Sequence, residues 1–276
     1  MKKYDLGIHP MIDELINNYN INNNQGNLIL SSSGLLINTK YEFSAVVEYY
    51  ELEKDEELYI GSIQKDIIGS IILADKLSLP LYIIVYKENN EYFSIYDYFQ
   101  KNRFNKSFVL PSKESEFISW WKTLKGTVQV KPFYKNTEEN YKINSILLSA
   151  GYRWGGDIDG FIVNKERKIT SILEFRKSTK INVGDYDPKK YYSGYYNRAG
   201  DYHTWKPLIK LKNELNVPLY LITMSELNGS IYGGTEVKNA TPNDLIYKND
   251  ISPNSNLNKS IVELIESLYG EERIDE

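Results

Sequence analysis

The sequence contains no cysteine and only two histidines, His9 and His203. Without cysteine no disulfide bond can form, and two histidines are too few for a structural zinc site. No apolar run approaches the roughly 20 residues of a membrane-spanning helix. The N-terminal MKKYDLGIHP also lacks the apolar stretch of a signal peptide. We therefore expect a soluble, cytoplasmic protein that does not bind a membrane.

Three common enzyme motifs are also missing from the sequence. It contains no GxxxxGK[ST] phosphate loop, no GxGxxG dinucleotide-binding turn and no GxSxG nucleophile elbow. The GG pairs at 155–156 and 233–234 are typical of turns. The sequence therefore gives no support for the nucleotide-binding and hydrolase classes that these motifs define.

Positive charge is not in excess, since 33 basic and 37 acidic residues give a net charge of −4. This balance argues against a protein that coats nucleic acid by bulk charge. The distribution is uneven, however: residues 1–130 carry a net −4, residues 131–220 a net +6 and residues 221–276 a net −6. A basic segment of this kind can bind a phosphate backbone, so residues 131–220 are the candidate region for contact with nucleic acid.

The sequence contains an internal repeat. Residues 33–51 (SGLLINTKYEFSAVVEYYE) align without a gap with residues 159–177 (DGFIVNKERKITSILEFRK), at an offset of 126. Residues 73–85 (LADKLSLPLYIIV) align with residues 211–223 (LKNELNVPLYLIT) at an offset of 138. The second copy is therefore 12 residues longer between the two blocks.

The repeat predicts two domains, 1–130 and 131–276, of the α/β class. Each copy has the pattern of a helix, two adjacent strands, a helix, two more strands and a final helix, at 114–124 and 258–268. We expect a mixed central sheet flanked by helices in each domain. The segment 239–257, rich in Asn, Pro and Asp, is predicted to be a long loop.

Acidic residues of the second copy are spaced so that they converge in a strand pair. Alternation places Asp157 and Asp159 on one face of the first strand, and Glu174 and Arg176 on one face of the next. If the strands pair antiparallel, Asp159 can meet Glu174 beside a basic side chain. Carboxylate oxygens suit Mg²⁺ or Mn²⁺, which can activate a water for attack on a phosphodiester. The alternative is that these residues are ordinary charges at an exposed sheet edge.

The first copy lacks this polar set but keeps the apolar residues. Asp157 and Asp159 correspond to Ser31 and Ser33, and Arg176 corresponds to Tyr50. The apolar positions of the same strands are retained, as Leu35, Ile37, Val46 and Val47. If the acids were needed for folding, both copies should carry them, so their restriction to one copy favours a functional site.

The segment GDIDGFIVN followed by SILEFRK resembles the PD-(D/E)XK nuclease superfamily, and its Asp-x-Asp-Gly start is similar to restriction endonucleases and Holliday-junction resolvases of that superfamily. The resemblance implies a restriction-endonuclease-like fold, cleavage of nucleic acid and Mg²⁺ or Mn²⁺ as the cofactor. It also implies that Asp159 is the motif aspartate, with Asp157 as the rival for that role. Glu174 would be the acid of the second strand, and Glu139 an additional metal ligand.

The sequence departs from that superfamily at its lysine, which is replaced by Arg176. Arginine keeps the charge and can bind a phosphate with two hydrogen bonds, but it does not act as a proton-transfer base. Lys177 follows directly, and Lys206 and Lys210 lie four residues apart on a helix predicted after Thr204. Either Lys177 or Lys206 could position the water. The alternative for Lys206 and Lys210 is a solvated helix face.

The additional residues of the second copy fall in a segment where basic and aromatic residues alternate. Such a segment can bind phosphates and stack on bases, although aromatic loops also pack on a domain surface without further function. The candidate nucleic-acid contacts are Lys180, Lys189, Lys190, Tyr192, Tyr195, Arg198, His203 and Lys210. His203 could instead be a general base or simple polar surface.

The sequence thus predicts a Mg²⁺-dependent endonuclease that acts on DNA, with RNA not excluded as a substrate. One site per chain predicts nicking, or double-strand cleavage after formation of a homodimer. The first copy would be an inactive scaffold. Two alternatives remain open: a nuclease fold that binds nucleic acid or a protein partner without cleavage, and a protein-interaction role for the acidic first domain.

Overall fold

The computed structural model describes residues 1–3, 10–22, 26–53, 56–58, 63–87, 92–99, 103–110, 114–127, 141–178, 200–225 and 231–248. The protein belongs to the α/β class, as the sequence predicts, and its strands form mixed sheet. The chain divides into two compact units. Unit 1 comprises Met1–Leu6 and Ser31–Asp157, and unit 2 comprises Gly7–Leu30 and Ile158–Glu276.

Unit 1 is built on the strand order β2-β3-β4-β5-β6. The β3–β4 pair is parallel and the other pairs for which a register is given are antiparallel, including β1 with β3. Its strands are β1 (Lys2–Lys3), β2 (Leu28–Ile37, in unit 1 from Ser31), β3 (Phe43–Leu52), β4 (Leu81–Lys87), β5 (Tyr92–Phe99) and β6 (Arg103–Leu110). Its helices are α2 (Ile68–Leu77), α3 (Glu114–Lys125) and α4 (Lys142–Ser149).

Unit 2 repeats this order as β7-β8-β9-β10-β11. The β8–β9 pair is parallel, and its neighbours are antiparallel. The strands are β7 (Gly156–Val163, in unit 2 from Ile158), β8 (Ile169–Ser178), β9 (Leu219–Ser225), β10 (Ile231–Ala240) and β11 (Leu245–Tyr247). The described helices of this unit are α1 (Pro10–Asn22) and α5 (Gly200–Leu215).

The core of unit 1 is aromatic and includes α4, a helix of the second sequence copy. Ile143, Ile146 and Leu147 of α4 are at most 2% exposed, at the spacing of one helix face. They belong to one buried cluster with Tyr49 and Trp121. The two halves of the sequence therefore do not each retain their first helix, because α1 belongs to unit 2 and α4 to unit 1. The domain bounds 1–130 and 131–276 describe the sequence repeat and stay a prediction.

The repeat is visible in the two hairpin turns. Asn38 Oδ1 accepts hydrogen bonds from the backbone N–H groups of Lys40 (2.9 Å) and Glu42 (3.0 Å). At the positions 126 residues later, Asn164 Oδ1 accepts from Glu166 (3.0 Å) and Lys168 (2.9 Å). The left-handed turn residues are also equivalent, with Tyr41 at φ 63° and Arg167 at φ 59°. Asparagine fits such turns because its side chain replaces a backbone acceptor.

The predicted element order is confirmed within the described residues, apart from an additional strand, β1, before α1 and the differences that follow. A further strand follows the last predicted strand in each copy, β6 and β11, and β11 falls inside the segment 239–257 that was wrongly predicted to be loop throughout. Helix α5 begins at Gly200, before the predicted start, and contains Pro207. The predicted helix 258–268 lies outside the described residues. In the described part of the chain, no helix is long and apolar enough to cross a membrane.

Candidate functional site

Strands β7 and β8 bring Asp159 and Glu174 to facing positions. The antiparallel register pairs Phe161 with Ile172 and Gly160 with Leu173, which places Asp159 and Glu174 one residue further along each strand. Asp159 Oδ2 accepts a hydrogen bond of 2.8 Å from the backbone N–H of Phe175. The carboxylate of Asp159 therefore reaches across to β8, as the sequence predicts for an antiparallel pair.

The opposite face of this strand pair is apolar and tightly packed. A Cβ atom at Gly160 would lie 3.1 Å from Ile29 Cγ2, 3.2 Å from Phe175 Cε2 and 3.5 Å from Leu173 Cβ. Gly160, Leu173 and Phe175 therefore share a face, and alternation places Asp159 and Glu174 on the other. The glycine next to Asp159 permits this close approach, and the packing behind it supports the strand that carries the acid.

Glu174 is buried and forms an ion pair with Arg176. The Glu174 residue is 7% exposed, and its Oε1 lies 2.9 Å from an Nη atom of Arg176. The Arg176 Cζ atom lies 5.8 Å from the ring centroid of Trp205, which is 2% exposed. A guanidinium group over an aromatic face is stabilised by the ring quadrupole. Arg176 is thus held between a carboxylate and a buried tryptophan.

Helix α5 carries Trp205 and is anchored on β10 by Lys212. The Lys212 ammonium group donates to the carbonyl oxygens of Val237 (3.1 Å) and Lys238 (3.2 Å). Burial lowers the pKa of Lys212, an effect that the charge of Glu236 opposes. This anchor fixes the part of the helix that follows Trp205.

Two predicted lysines of α5 are half-buried and have partners. Lys206 Nζ lies 5.9 Å from the ring centroid of Tyr202, and Lys210 forms an ion pair with Glu214. At the offset of 138, the equivalent residues of α2 are Ile68 and Ile72. The exchange of two isoleucines for two lysines gives α5 two ammonium groups at positions where α2 is apolar.

Other predicted site residues are described in part or not at all. For Asp157 on β7, Lys177 on β8 and His203 on α5, only the backbone is described. The remaining candidates lie outside the described residues: Glu139, Lys180, Lys189, Lys190, Tyr192, Tyr195 and Arg198. Their roles stay predictions.

The described donor set consists of two carboxylates, those of Asp159 and Glu174. No group of three or more metal-binding side chains occurs among the residues that the structure describes. Magnesium is commonly held by one or two carboxylates together with water and phosphate oxygens, so this pair fits a divalent cation in chemistry and number. Asp157 and Glu139 are the predicted additional ligands.

Unit 1 carries a different polar cluster at the equivalent positions. Ser33 replaces Asp159, and its Oγ donates to Glu48 Oε2 over 2.5 Å. Glu48, the equivalent of Glu174, is 1% exposed and also accepts from the Ser70 hydroxyl, while Lys3 Nζ lies 3.6 Å from its Oε2. Sequence reasoning missed Ser70 and Lys3, because neither lies in the repeated strand pair.

Tyr50 takes the place of Arg176 in unit 1. Its side chain is fully buried, and burial together with the charge of Glu48 raises its pKa. The Tyr50 hydroxyl has no hydrogen-bond partner among the described residues. The cation that balances the buried glutamate is therefore Lys3 on β1 in unit 1 and Arg176 on β8 in unit 2.

No protein-family model matches the chain, and no curated protein matches it. The functional interpretation therefore depends on the residues and contacts described above.

Proposed function

We propose that unit 2 is a divalent-metal-dependent endonuclease domain that acts on DNA in the cytoplasm, and that unit 1 is its inactive copy. The observation that carries this proposal is the Ser33–Glu48 hydrogen bond of 2.5 Å. It indicates that side chains at this pair of positions are within reach of each other. In unit 2 both positions are carboxylates, and two carboxylates at such a distance repel each other unless a cation lies beside them or one of them is protonated.

In this proposal Asp159 and Glu174 hold the metal, with Asp157 or Glu139 as an additional ligand. A bound Mg²⁺ or Mn²⁺ would polarise the phosphodiester and lower the pKa of a bound water. The Phe175 N–H group orients the Asp159 carboxylate through its hydrogen bond of 2.8 Å. Since Asp159 accepts this bond from the neighbouring strand, its position does not depend on a flexible loop.

Arg176 would stabilise the negative charge on phosphate, because a guanidinium group can donate two parallel hydrogen bonds to phosphate oxygens. Its contact with Trp205, 5.8 Å from Cζ to the ring centroid, would help to hold the guanidinium group at the site. Lys177 or Lys206 would position the water. The ammonium groups of Lys206 and Lys210 on α5 would contact the DNA backbone.

The finer fold assignment belongs to the same proposal. The equal strand order in the two units, with one parallel pair after the hairpin, supports two tandem restriction-endonuclease-like domains. One acidic site per chain would nick DNA. Double-strand cleavage would require a homodimer.

The test is cleavage of supercoiled plasmid in Mg²⁺ and in Mn²⁺ by the full chain and by Glu174→Gln. We expect nicking by the wild type and a loss of at least about 100-fold in Glu174→Gln, since a metal ligand is removed. Glu166→Gln is the matched control, because Glu166 pairs with Lys168 on the exposed hairpin turn. Equal nicking by the wild type and Glu174→Gln would overturn the proposal.

A second function, nucleic-acid binding without cleavage, is favoured by the Glu174–Arg176 ion pair of 2.9 Å. An arginine that already neutralises Glu174 competes with a metal for that carboxylate. This function predicts DNA affinity that falls steeply with salt concentration, with intact plasmid in both metals. It also predicts that Glu174→Gln changes the affinity for DNA, while neither the wild type nor this variant cleaves the plasmid.

A further inference from the structure

The buried carboxylate of Glu48 in unit 1 is surrounded by donors. Ser33 Oγ donates to Oε2 over 2.5 Å and the Ser33 N–H group approaches Oε1 at 3.4 Å. The Ser70 hydroxyl donates to Oε1, and the Ser32 and Ser70 hydroxyl oxygens lie 2.8 Å apart. A carboxylate that is 1% exposed is stable only if its charge is balanced, and hydroxyl groups alone do not supply a counter-charge.

The counter-charge comes from Lys3. Its ammonium group lies 3.6 Å from Glu48 Oε2 and donates to the carbonyl oxygen of Asp66 over 2.7 Å. The backbone of β1 holds Lys3 in place, because Lys3 pairs with Tyr50 and its carbonyl oxygen accepts from the Tyr141 hydroxyl over 2.9 Å. The ammonium group is therefore bound by a carboxylate and a carbonyl oxygen, which are also the ligands of hard divalent cations.

We propose that the Glu48 pocket is a cation site whose resident cation is the Lys3 ammonium group, and that it binds Mn²⁺ or Mg²⁺ when that group is removed. The charges support this assignment: the single carboxylate of Glu48 matches the single charge of lysine. A carboxylate at position 33, where unit 2 has Asp159, would raise the charge of the pocket to match a divalent ion. On this inference unit 1 keeps the carboxylate pocket, and β1 fills it with an internal cation.

This inference depends only on unit 1 and not on nuclease activity in unit 2. To keep the two apart, the experiment uses the full chain in a Glu174→Gln background. Three variants are compared there: Lys3→Met, Lys3→Met with Ser33→Asp, and Lys3→Met with Glu48→Gln. Methionine keeps most of the length of the lysine stem and removes the charge together with the hydrogen bond to Asp66.

The measurement is the unfolding temperature of each variant as Mn²⁺ or Mg²⁺ is added. We expect no response from Glu174→Gln alone. Lys3→Met should unfold at a lower temperature without metal, and Mn²⁺ at ten times its dissociation constant should raise that temperature by about 4 °C. Ser33→Asp should lower the Mn²⁺ concentration needed by at least about tenfold, since it adds a second carboxylate. The variant with Glu48→Gln should not respond.

The inference is overturned if Lys3→Met responds to Mn²⁺ no more than its background does, or if the response persists without Glu48. If Lys3→Met does not fold in the absence of metal, Mn²⁺ or the added Glu48→Gln should each restore folding, measured by near-ultraviolet circular dichroism. If neither Mn²⁺ nor Glu48→Gln restores folding, Lys3 stabilises the protein through another contact, and the proposed cation site is rejected.

Discussion

The guanidinium group of Arg176 lies 2.9 Å from a carboxylate oxygen of Glu174, and its Cζ atom lies over the buried ring of Trp205, 5.8 Å from the ring centroid. In unit 1 the equivalent glutamate, Glu48, is balanced instead by Lys3. The two copies thus keep the same buried acid but obtain the opposing charge from different strands. The stability of each unit should therefore depend on a different basic residue.

Replacement of Arg176 by methionine should destabilise unit 2. It leaves the Glu174 carboxylate, 7% exposed, without the cation at 2.9 Å. We expect the free energy of unfolding in urea to fall by about 2 kcal/mol, less than for a fully buried pair because the Arg176 side chain is 31% exposed. The double variant Glu174→Gln/Arg176→Met should recover most of this loss. If the double variant is as unstable as Arg176→Met, the loss of stability comes from the packing of Arg176 on Trp205 and not from the unpaired charge of Glu174.

The two hairpin asparagines should contribute similarly to stability. Asn38 and Asn164 each accept two backbone hydrogen bonds within their own turns. Replacement of either by alanine leaves turn N–H groups without that acceptor, and we expect a loss of about 1 kcal/mol in each case. Asn213→Ala, on the exposed side of α5, is the control and should change stability by less than about 0.5 kcal/mol. An equal effect of all three substitutions would contradict this interpretation.

These hairpins belong to the part of the fold that the sequence could predict. Alternation and the repeat offset correctly place the two strands, and the approach of Asp159 to β8 is the one expected if they pair antiparallel, as they do. These are local properties, because they depend on residues less than about 20 positions apart, where the strand period alone decides which side chains share a face.

The remaining features depend on contacts distant in sequence. Lys3 and Ser70 reach Glu48 from 45 and 22 positions away, from elements outside the repeated strand pair. The apolar face of α4 predicts that Ile143 and Leu147 are buried. The periodicity of a helix does not specify, however, in which of two similar cores the helix is buried. Strand β11 has three residues, too few for a period-2 pattern to distinguish it from loop.

The glycines at equivalent positions of the two hairpins should not tolerate alanine. A Cβ at Gly34 would lie 2.5 Å from Val47 Cγ2 and 3.1 Å from the Val47 carbonyl oxygen, and one at Gly160 would lie 3.1 Å from Ile29 Cγ2. We expect Gly34→Ala to cost about 3 kcal/mol and Gly160→Ala about 1–2 kcal/mol. Gly156→Ala is the matched control on the same strand as Gly160, because no atom lies within 4 Å of its Cβ position.

Gly160→Ala also tests the proposed nuclease site, since the displaced strand carries Asp159. We expect plasmid nicking to fall further than the fraction of unfolded protein explains. Gly34→Ala, measured at a temperature where unit 1 remains folded, should leave nicking unchanged. Undiminished nicking by folded Gly160→Ala would indicate that the site does not require the exact position of Asp159.

Lys125 at the end of α3 should give the protein a distinctive pH dependence. Burial lowers its pKa from 10.5 to about 8. Between these values the folded state has lost the proton while the unfolded state keeps it, so stability rises as pH increases through that range and is lowest below about pH 8. Lys125→Met should raise the free energy of unfolding at pH 7 by about 2 kcal/mol and flatten the profile between pH 7 and pH 9.5.

The upper limit of that profile is set by buried tyrosines. Burial raises the pKa of Tyr49 and Tyr50, so the unfolded chain releases these protons first and stability falls above about pH 10 in the wild type and in Lys125→Met alike. Lys122→Met, one turn earlier on the exposed face of α3, is the control and should leave the profile unchanged. A wild-type stability that does not rise from pH 7 to pH 9.5 would contradict the prediction for Lys125.

The exchange of first helices predicts which fragment of the chain can fold. Residues 1–130 lack α4, whose Ile143, Ile146 and Leu147 are at most 2% exposed in unit 1, together with Trp154, which stacks on Trp121 at a centroid distance of 5.4 Å. Loss of even three such aliphatic side chains costs about 6 kcal/mol or more, comparable to the whole stability of a small domain.

Residues 1–157 contain every residue of unit 1. We therefore expect cooperative urea unfolding and near-ultraviolet circular dichroism for the fragment 1–157 but not for 1–130, and Ile146→Asp in 1–157 should abolish both signals. Cooperative unfolding of the shorter fragment would show that each sequence copy can use its own first helix.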